Sequence, residues 1–266
     1  MTWKPIAIGL LYVGCAAQLG GGSKQDDNGD PPGTNPDGGN GSNGGNGDAS
    51  VQPPGMDAAN AACPNGRKIY LAFDSVTLTK ATTSNAATNE ASWLTAATSN
   101  VPAWHSNSAT RANDIASVVS GVKSRLGTAP IEVVTTKPTT GPFVMIVFGG
   151  QSTGNGGTVA TIYRAGTNYH DCGDIVKSDV GWVADGFNLT YTADLAVGAV
   201  GFGLGLDGTT DPNDCMCGWG SNCNSATGAC TLSANIPSQI SYNTETACPN
   251  QNPQNEVAAF TTKFCQ

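Results

Sequence analysis

The sequence feature that most limits folding is a long tract near the N-terminus that has almost no apolar side chains. Residues 20–54 are mainly Gly, Asn, Asp, Ser and Pro, and include the run DPPGTNPDGGNGSNGGNGD. Such a stretch buries too little apolar surface to offset the entropy lost on folding. We therefore predict a disordered tether over residues 16–58 and a globular domain over residues 59–266, whose roughly 200 residues suffice for one core.

The first 15 residues are typical of an export signal. Residues 1–4 carry a positive charge, and the mostly apolar residues 5–14 are too few to span a membrane. They lead into LYVGC at residues 11–15, which resembles a bacterial lipobox, where a small residue precedes a cysteine that is lipidated. Tyr12 stands where Leu is expected, so plain secretion stays open. We predict an outer-membrane or cell-surface lipoprotein anchored in the membrane through Cys15, or otherwise a secreted protein.

The cysteine count fits an exported, disulfide-braced domain. The chain has nine cysteines, and eight remain when Cys15 is set aside, an even number that favours four disulfides. We expect Cys223 to pair with Cys230, Cys248 with Cys265, and Cys63 and Cys172 with the Cys215 and Cys217 pair. The eight cysteines of the globular part are Cys63, Cys172, Cys215, Cys217, Cys223, Cys230, Cys248 and Cys265.

The charge distribution excludes one class of partner. Charged residues make up 12% of the chain and the net charge is −8. That charged fraction is about half of the ~25% usual in globular proteins. No basic patch is present that could neutralise phosphates, so we expect no nucleic-acid partner.

The apolar pattern of the globular part predicts alternating strands and helices. Elements are assigned by period-two or continuous apolar runs for strands and by helical spacing for helices. The predicted elements are strand 68–73, helix 110–126, strands 131–136, 143–148 and 179–185, and helices 193–205 and 255–264. This order predicts an α/β (α+β) fold with a cystine-rich tail.

The most specific pattern lies at residues 198–216. The sequence GAVGFGLGLDG at 198–208 is followed by TTDPNDCM. It resembles the active-site region of the metzincin zinc peptidases, matrixin-like ones especially, whose pattern is H-E-x-G-H-x-x-G-L-x-H followed by a short loop and the methionine of the Met-turn. Gly201, Gly205, Leu206 and Met216 match family positions. The resemblance implies a metzincin-like twisted mixed sheet with two main helices and a cystine-rich C-terminal subdomain.

The catalytic residues of that pattern are missing. Gly198, Phe202 and Gly208 occupy the three histidine positions, and Ala199 occupies the position of the glutamate. Three imidazoles hold catalytic zinc in such sites and the glutamate takes the proton of the bound water, so these residues cannot supply the chemistry. The chain has only two histidines, too few for another three-histidine site. The resemblance therefore implies a zinc-free pseudoprotease that binds a peptide or protein.

Two other function classes stay open. One is an active secreted hydrolase, either a metallopeptidase with unrecognised ligands or a serine hydrolase. Ser152 lies in GQSTG at residues 150–154, which fits the G-x-S-x-G nucleophile motif, but NGG at 155–157 breaks the helix that should follow. The other class is a purely structural surface lipoprotein.

Two short segments carry residues that often bind metals. Asp207, Asp211 and Asp214 lie close enough in sequence to share a Ca²⁺, although their spacing differs from an EF-hand and favours a solvated turn. The segment HDCGD at residues 170–174 suggests zinc, but we expect Cys172 to be oxidised. We therefore predict no zinc and only a weak case for calcium.

Overall fold

The computed structural model describes residues 63, 66–150, 166–167, 170–217, 228–236, 248 and 253–266. The predicted export signal, its lipidation site Cys15, the tether, Ser152 and Cys223 lie outside these residues. Within the described part of the chain, no helix is both long enough and apolar enough to cross a membrane.

The described residues form eight strands, three α-helices and one 3-10 helix. In chain order they are β1 Lys68–Ala72, β2 Val76–Lys80, β3 Glu90–Ala91, β4 Thr98–Val101, α1 Arg111–Leu126, β5 Glu132–Val134, β6 Phe143–Phe148, β7 Gly166–Thr167, β8 Val180–Val183, α2 Leu189–Gly203, the 3-10 helix Cys215–Cys217 and α3 Glu256–Phe264. The mixture of strands and helices confirms the predicted α+β class.

The main sheet has five strands in the order β5-β1-β6-β8-β7. All neighbouring pairs are parallel except β7 and β8, which are antiparallel. The central strand β6 has the sequence FVMIVF, and all six of its residues are buried. A continuous apolar run of this kind is expected where both faces of a parallel strand are covered.

A second, three-stranded sheet was not predicted from the sequence. Its order is β3-β2-β4, with β2 and β4 antiparallel and β2 and β3 parallel. The three strands are short and rich in polar residues, and β2 buries only Leu78 fully. Because these strands have at most five residues each and most of their residues are polar, no continuous apolar run marks them in the sequence.

Helices α1 and α2 pack against each other, and their ends follow local chemistry. The N-terminus of α1 and its end before Gly127, which has φ +58°, agree with the prediction. Helix α2 begins earlier than predicted because Asn188 caps it, its Oδ1 accepting a hydrogen bond from the Tyr191 N–H at 2.8 Å. It ends before Gly205, whose φ of +78° leaves the helical region.

Three disulfides are present among the described residues, and the predicted pairings are wrong. The observed pairs are Cys63–Cys265, Cys172–Cys248 and Cys215–Cys230. Cys217 is also disulfide-bonded.

Two of the predicted pairs joined cysteines that are near each other in sequence, and the others joined the first strand and the central loop to the turn after α2, whereas the fold makes different pairs. The Arg67 N–H donates to the Phe264 carbonyl at 2.9 Å, so the end of α3 lies beside the start of β1. This contact brings Cys63 and Cys265 together, although 202 positions separate them in sequence.

Candidate functional site

The C-terminal half of α2 lies directly on the 3-10 helix that carries Met216. Met216 is fully buried, and a Cβ atom added at Gly201 would overlap its sulfur. A Cβ at Gly198 would lie 2.7 Å from the carbonyl oxygen of Cys215. Glycine inside a helix costs up to ~1 kcal/mol relative to alanine. Here glycine permits the close approach of the helix to this turn.

The same packing closes the position that resembles a zinc site. At position 198 the Cys215 carbonyl occupies the space in which a ligand side chain would begin. Ala199 is fully buried, and only 2% of Phe202 is exposed. Gly208 is buried as well. None of these four residues offers a nitrogen, sulfur or carboxylate ligand to a metal.

The ring of Phe202 contacts a histidine from the segment before β8. The His170 and Phe202 rings are stacked with centroids 4.5 Å apart and an interplanar angle of 27°. His170 Nε2 lies 3.1 Å from Asp207 Oδ1 and 3.2 Å from Cys248 Sγ. Asp207 Oδ1 also accepts the Cys248 N–H at 3.0 Å. Sequence analysis missed this contact, because no local pattern connects His170 with Asp207.

The Cys172–Cys248 disulfide removes two possible metal ligands from the surroundings of His170. His170, Cys172 and Cys248 offer ligand atoms within 4.8 Å of one another. Metal binding by cysteine requires the thiolate, and Cys172 and Cys248 are bonded to each other. In the oxidised protein, His170 and Asp207 are the remaining pair.

The second histidine of the chain belongs to a separate cluster at the start of α1. His105 stacks on Trp104 with centroids 3.7 Å apart. Its Nδ1 lies 2.9 Å from Asp114 Oδ2, and its Nε2 lies 3.6 Å from Asp185 Oδ1. The hydrogen bond from His105 lowers the pKa of Asp114. His105 and His170 therefore pair with different carboxylates.

The three aspartates proposed for calcium have different partners. Asp207 contacts His170, whereas Asp211 is exposed and accepts the Asn213 N–H at 2.9 Å within a turn. Asp214 is buried and accepts the Met216 N–H at 2.8 Å. Among the described residues, no group of three close metal-type side chains contains these aspartates.

Asp214 instead forms a carboxyl pair with Glu256, the first residue of α3. Burial, and secondarily the charge of Asp214, raise the pKa of Glu256 to about 8. Burial also raises the pKa of Asp214, and the two side chains are hydrogen-bonded. Glu256 Oε2 accepts the Ser233 N–H at 3.0 Å, and the Ser233 hydroxyl donates to Asp214 Oδ2 at 2.6 Å. A neutral Glu256 thus joins α3 to the turn that carries Met216.

Three cavities lie at other places on the domain. A cavity of about 590 Å³ lies beside α1 and the first turn of α2. One of about 470 Å³ lies between the end of α1 and α3, and one of about 320 Å³ is lined in part by Asp214 and Ser233. Gly198, Ala199, Phe202 and Gly208 line none of the three.

No protein-family model matches the chain, and no curated protein matches it. The resemblance to metzincins therefore rests on the sequence of residues 198–216.

Proposed function

We infer that this chain is an exported, lipid-anchored and catalytically inactive relative of the metzincin peptidases, which acts by binding a peptide or a protein. The order of strand, helix, strands and apolar helix supports the relationship. So does the placement of Met216 beneath Gly201 at the C-terminal half of that helix. The carbonyl of Cys215 at the Gly198 position is the observation that carries the inactive assignment.

The missing zinc ligands and the lack of space at position 198 both support the inactive assignment. A site without ligand side chains could still admit an ion if it kept its space, but here a Cβ at position 198 would lie only 2.7 Å from the carbonyl oxygen of Cys215. The imidazole of His170 is stacked on Phe202 and paired with Asp207. A catalytic zinc site of this class needs three protein ligands and an open position for water.

The main sheet and helix α2 support a binding role for the domain. The main sheet and the buried helix α2 are intact although the reacting groups are missing. A domain on a long tether at a membrane surface can reach partners without performing chemistry on them. By the resemblance, a bound peptide would lie in the groove that holds substrate in active peptidases.

The first experiment measures metal content and peptidase activity of the full chain. We expect substoichiometric zinc by mass spectrometry and no cleavage of casein or gelatin. One tightly bound zinc per chain, with cleavage that a chelator abolishes, would contradict the proposal.

The second experiment separates the remaining classes. A peptide array should give saturable binding to a defined subset of sequences. Labelling by a fluorophosphonate that disappears in Ser152→Ala would favour a serine hydrolase instead. Absence of both binding and labelling would favour a purely structural surface protein.

A further inference from the structure

Three buried carboxylates meet in the segment that leads into β8. The exposed fractions of Asp171, Asp174 and Asp179 are 3%, 1% and 0%. One carboxylate oxygen from each lies within 4.8 Å of those from the other two. Aspartate is almost never fully buried without a partner, so each of these three carboxylates needs a hydrogen-bond donor or a positive group nearby.

Two of the three carboxylates have partners. Asp174 accepts hydrogen bonds from Arg67 Nη1 at 2.8 Å and Nη2 at 2.5 Å, and from Lys177 Nζ at 2.7 Å. Asp171 Oδ2 accepts the Val176 N–H at 2.6 Å. Neither oxygen of Asp179 has a hydrogen-bond partner in the described part of the chain.

The local charges leave Asp179 uncompensated. Arg67 and Lys177 both pair with Asp174, and the nearby ammonium of Lys263 donates to the Leu204 carbonyl. A buried carboxylate that lacks a direct cation or hydrogen-bond donor is strongly disfavoured. Burial raises the pKa of Asp179 to about 8, so in the metal-free domain this carboxyl holds a proton near neutral pH, and a cation that binds there would displace that proton.

We propose that Asp171, Asp174 and Asp179 bind one Ca²⁺. Calcium takes oxygen ligands at about 2.3–2.6 Å, so oxygens within 4.8 Å of one another can contact one ion. An all-oxygen set is poor for zinc, which favours nitrogen and sulfur. Magnesium dehydrates reluctantly and demands octahedral geometry, whereas calcium accepts irregular sites completed by backbone carbonyls and water.

The ion would join three parts of the fold. Asp179 directly precedes β8, and Arg67, which holds Asp174, also donates to the Lys263 carbonyl in α3. Cys172, next to Asp171, is disulfide-bonded to Cys248. Calcium would thus fix the segment before β8 against the start of β1 and the end of α3.

The test uses the full chain, treated with chelator and titrated with CaCl₂ in a calorimeter. We expect one Ca²⁺ per chain and a higher Tm with the ion. Asp179→Asn, which keeps the shape and removes the unpaired charge, should weaken binding at least ~10-fold, the loss of one direct charged ligand. Asp211→Asn removes an exposed aspartate and should leave the affinity unchanged.

A circular dichroism spectrum and the calcium-free Tm will establish whether Asp179→Asn folds. Asp171→Asn removes a second proposed ligand and should also weaken calcium binding. A wild-type dissociation constant for Ca²⁺ above ~1 mM, the weak end of extracellular calcium sites, would overturn the proposal. So would unchanged affinity in Asp179→Asn, loss of binding in Asp211→Asn, or equal affinity for Mg²⁺.

Discussion

The carbonyl oxygen of Cys215 lies 2.7 Å from where the Cβ of any residue other than glycine at position 198 would be. The turn that carries Met216 therefore occupies the space in which a side chain at position 198 would begin. Under the proposed relationship to zinc peptidases, this contact means that putting back the missing histidines would not be enough, because the turn would also have to move.

The first prediction concerns this contact. Gly198→Ala should lower the free energy of unfolding by ~1–3 kcal/mol through overpacking. That loss opposes the gain of up to ~1 kcal/mol from replacing a helical glycine. Urea denaturation measures the difference. Gly228→Ala is the matched control, because a Cβ there has no atom within 4 Å. A Gly198→Ala variant as stable as the wild type would contradict the closed site.

The second prediction concerns the disulfides. The Cys63–Cys265 bond closes a loop of 202 positions, whereas Cys215–Cys230 closes one of 15. In the chain-entropy model these loops are worth ~5 and ~3 kcal/mol. Replacing both cysteines of the first pair by serine should therefore cost more stability than replacing both of the second. Equal losses in urea denaturation would show that loop length does not set the stabilisation.

The third prediction concerns pH. The folded-state pKa of Glu256 is about 8 and its ordinary value is 4.5, so between these values the folded chain holds a proton that the unfolded chain releases. The contribution of Glu256 to the free energy of unfolding is complete below about pH 4.5. It declines as the pH rises from there to about 8, by up to ~1.4 kcal/mol per pH unit. Asp214 acts in the same direction.

Glu256→Gln tests this assignment because it stays neutral at every pH. The slope of unfolding free energy between pH 5 and 8 should become shallower, whatever the variant costs at a single pH. Glu132→Gln is the control, since Glu132 is exposed and pairs with Lys68 at 2.8 Å. An unchanged slope in Glu256→Gln would assign the pH dependence to other groups.

The fourth prediction concerns the anchor. Cys15→Ala should move the protein from the detergent phase to the aqueous phase, because it removes the site of lipidation. Phase separation of whole-cell extracts followed by immunoblotting measures this. Partitioning that is the same in the variant and the wild type would contradict a lipid at Cys15.

Sequence analysis predicted best where local periodicity decides the structure. Residues 143–148 form one apolar run, and the apolar spacing before Gly127 marks α1, so both elements were located correctly. The small sheet was missed because β2, β3 and β4 bury few side chains. The early start of α2 depends on the capping bond of Asn188, which the apolar pattern does not register.

For the site residues too, features that depend on residue type were predictable from the sequence, and features that depend on tertiary contacts were not. The absence of ligands at Gly198 and Phe202 was readable from the sequence, but the approach of Cys215 was not. The sequence offered Asp207, Asp211 and Asp214 as a group because they are near one another along the chain. The cluster of Asp171, Asp174 and Asp179 depends on the burial of Asp179 and on its free oxygens, which only tertiary structure decides.

The Cys63–Cys265 bond has a mechanical consequence for a tethered protein. Tension applied through the chain before Cys63 reaches a covalent bond to the end of α3 before it reaches β1. Part of the load then bypasses the hydrogen bonds between β1 and its neighbours β5 and β6. If the domain is tethered and holds a partner as proposed, tension on the tether would leave the main sheet intact under forces that would otherwise peel off its first strand.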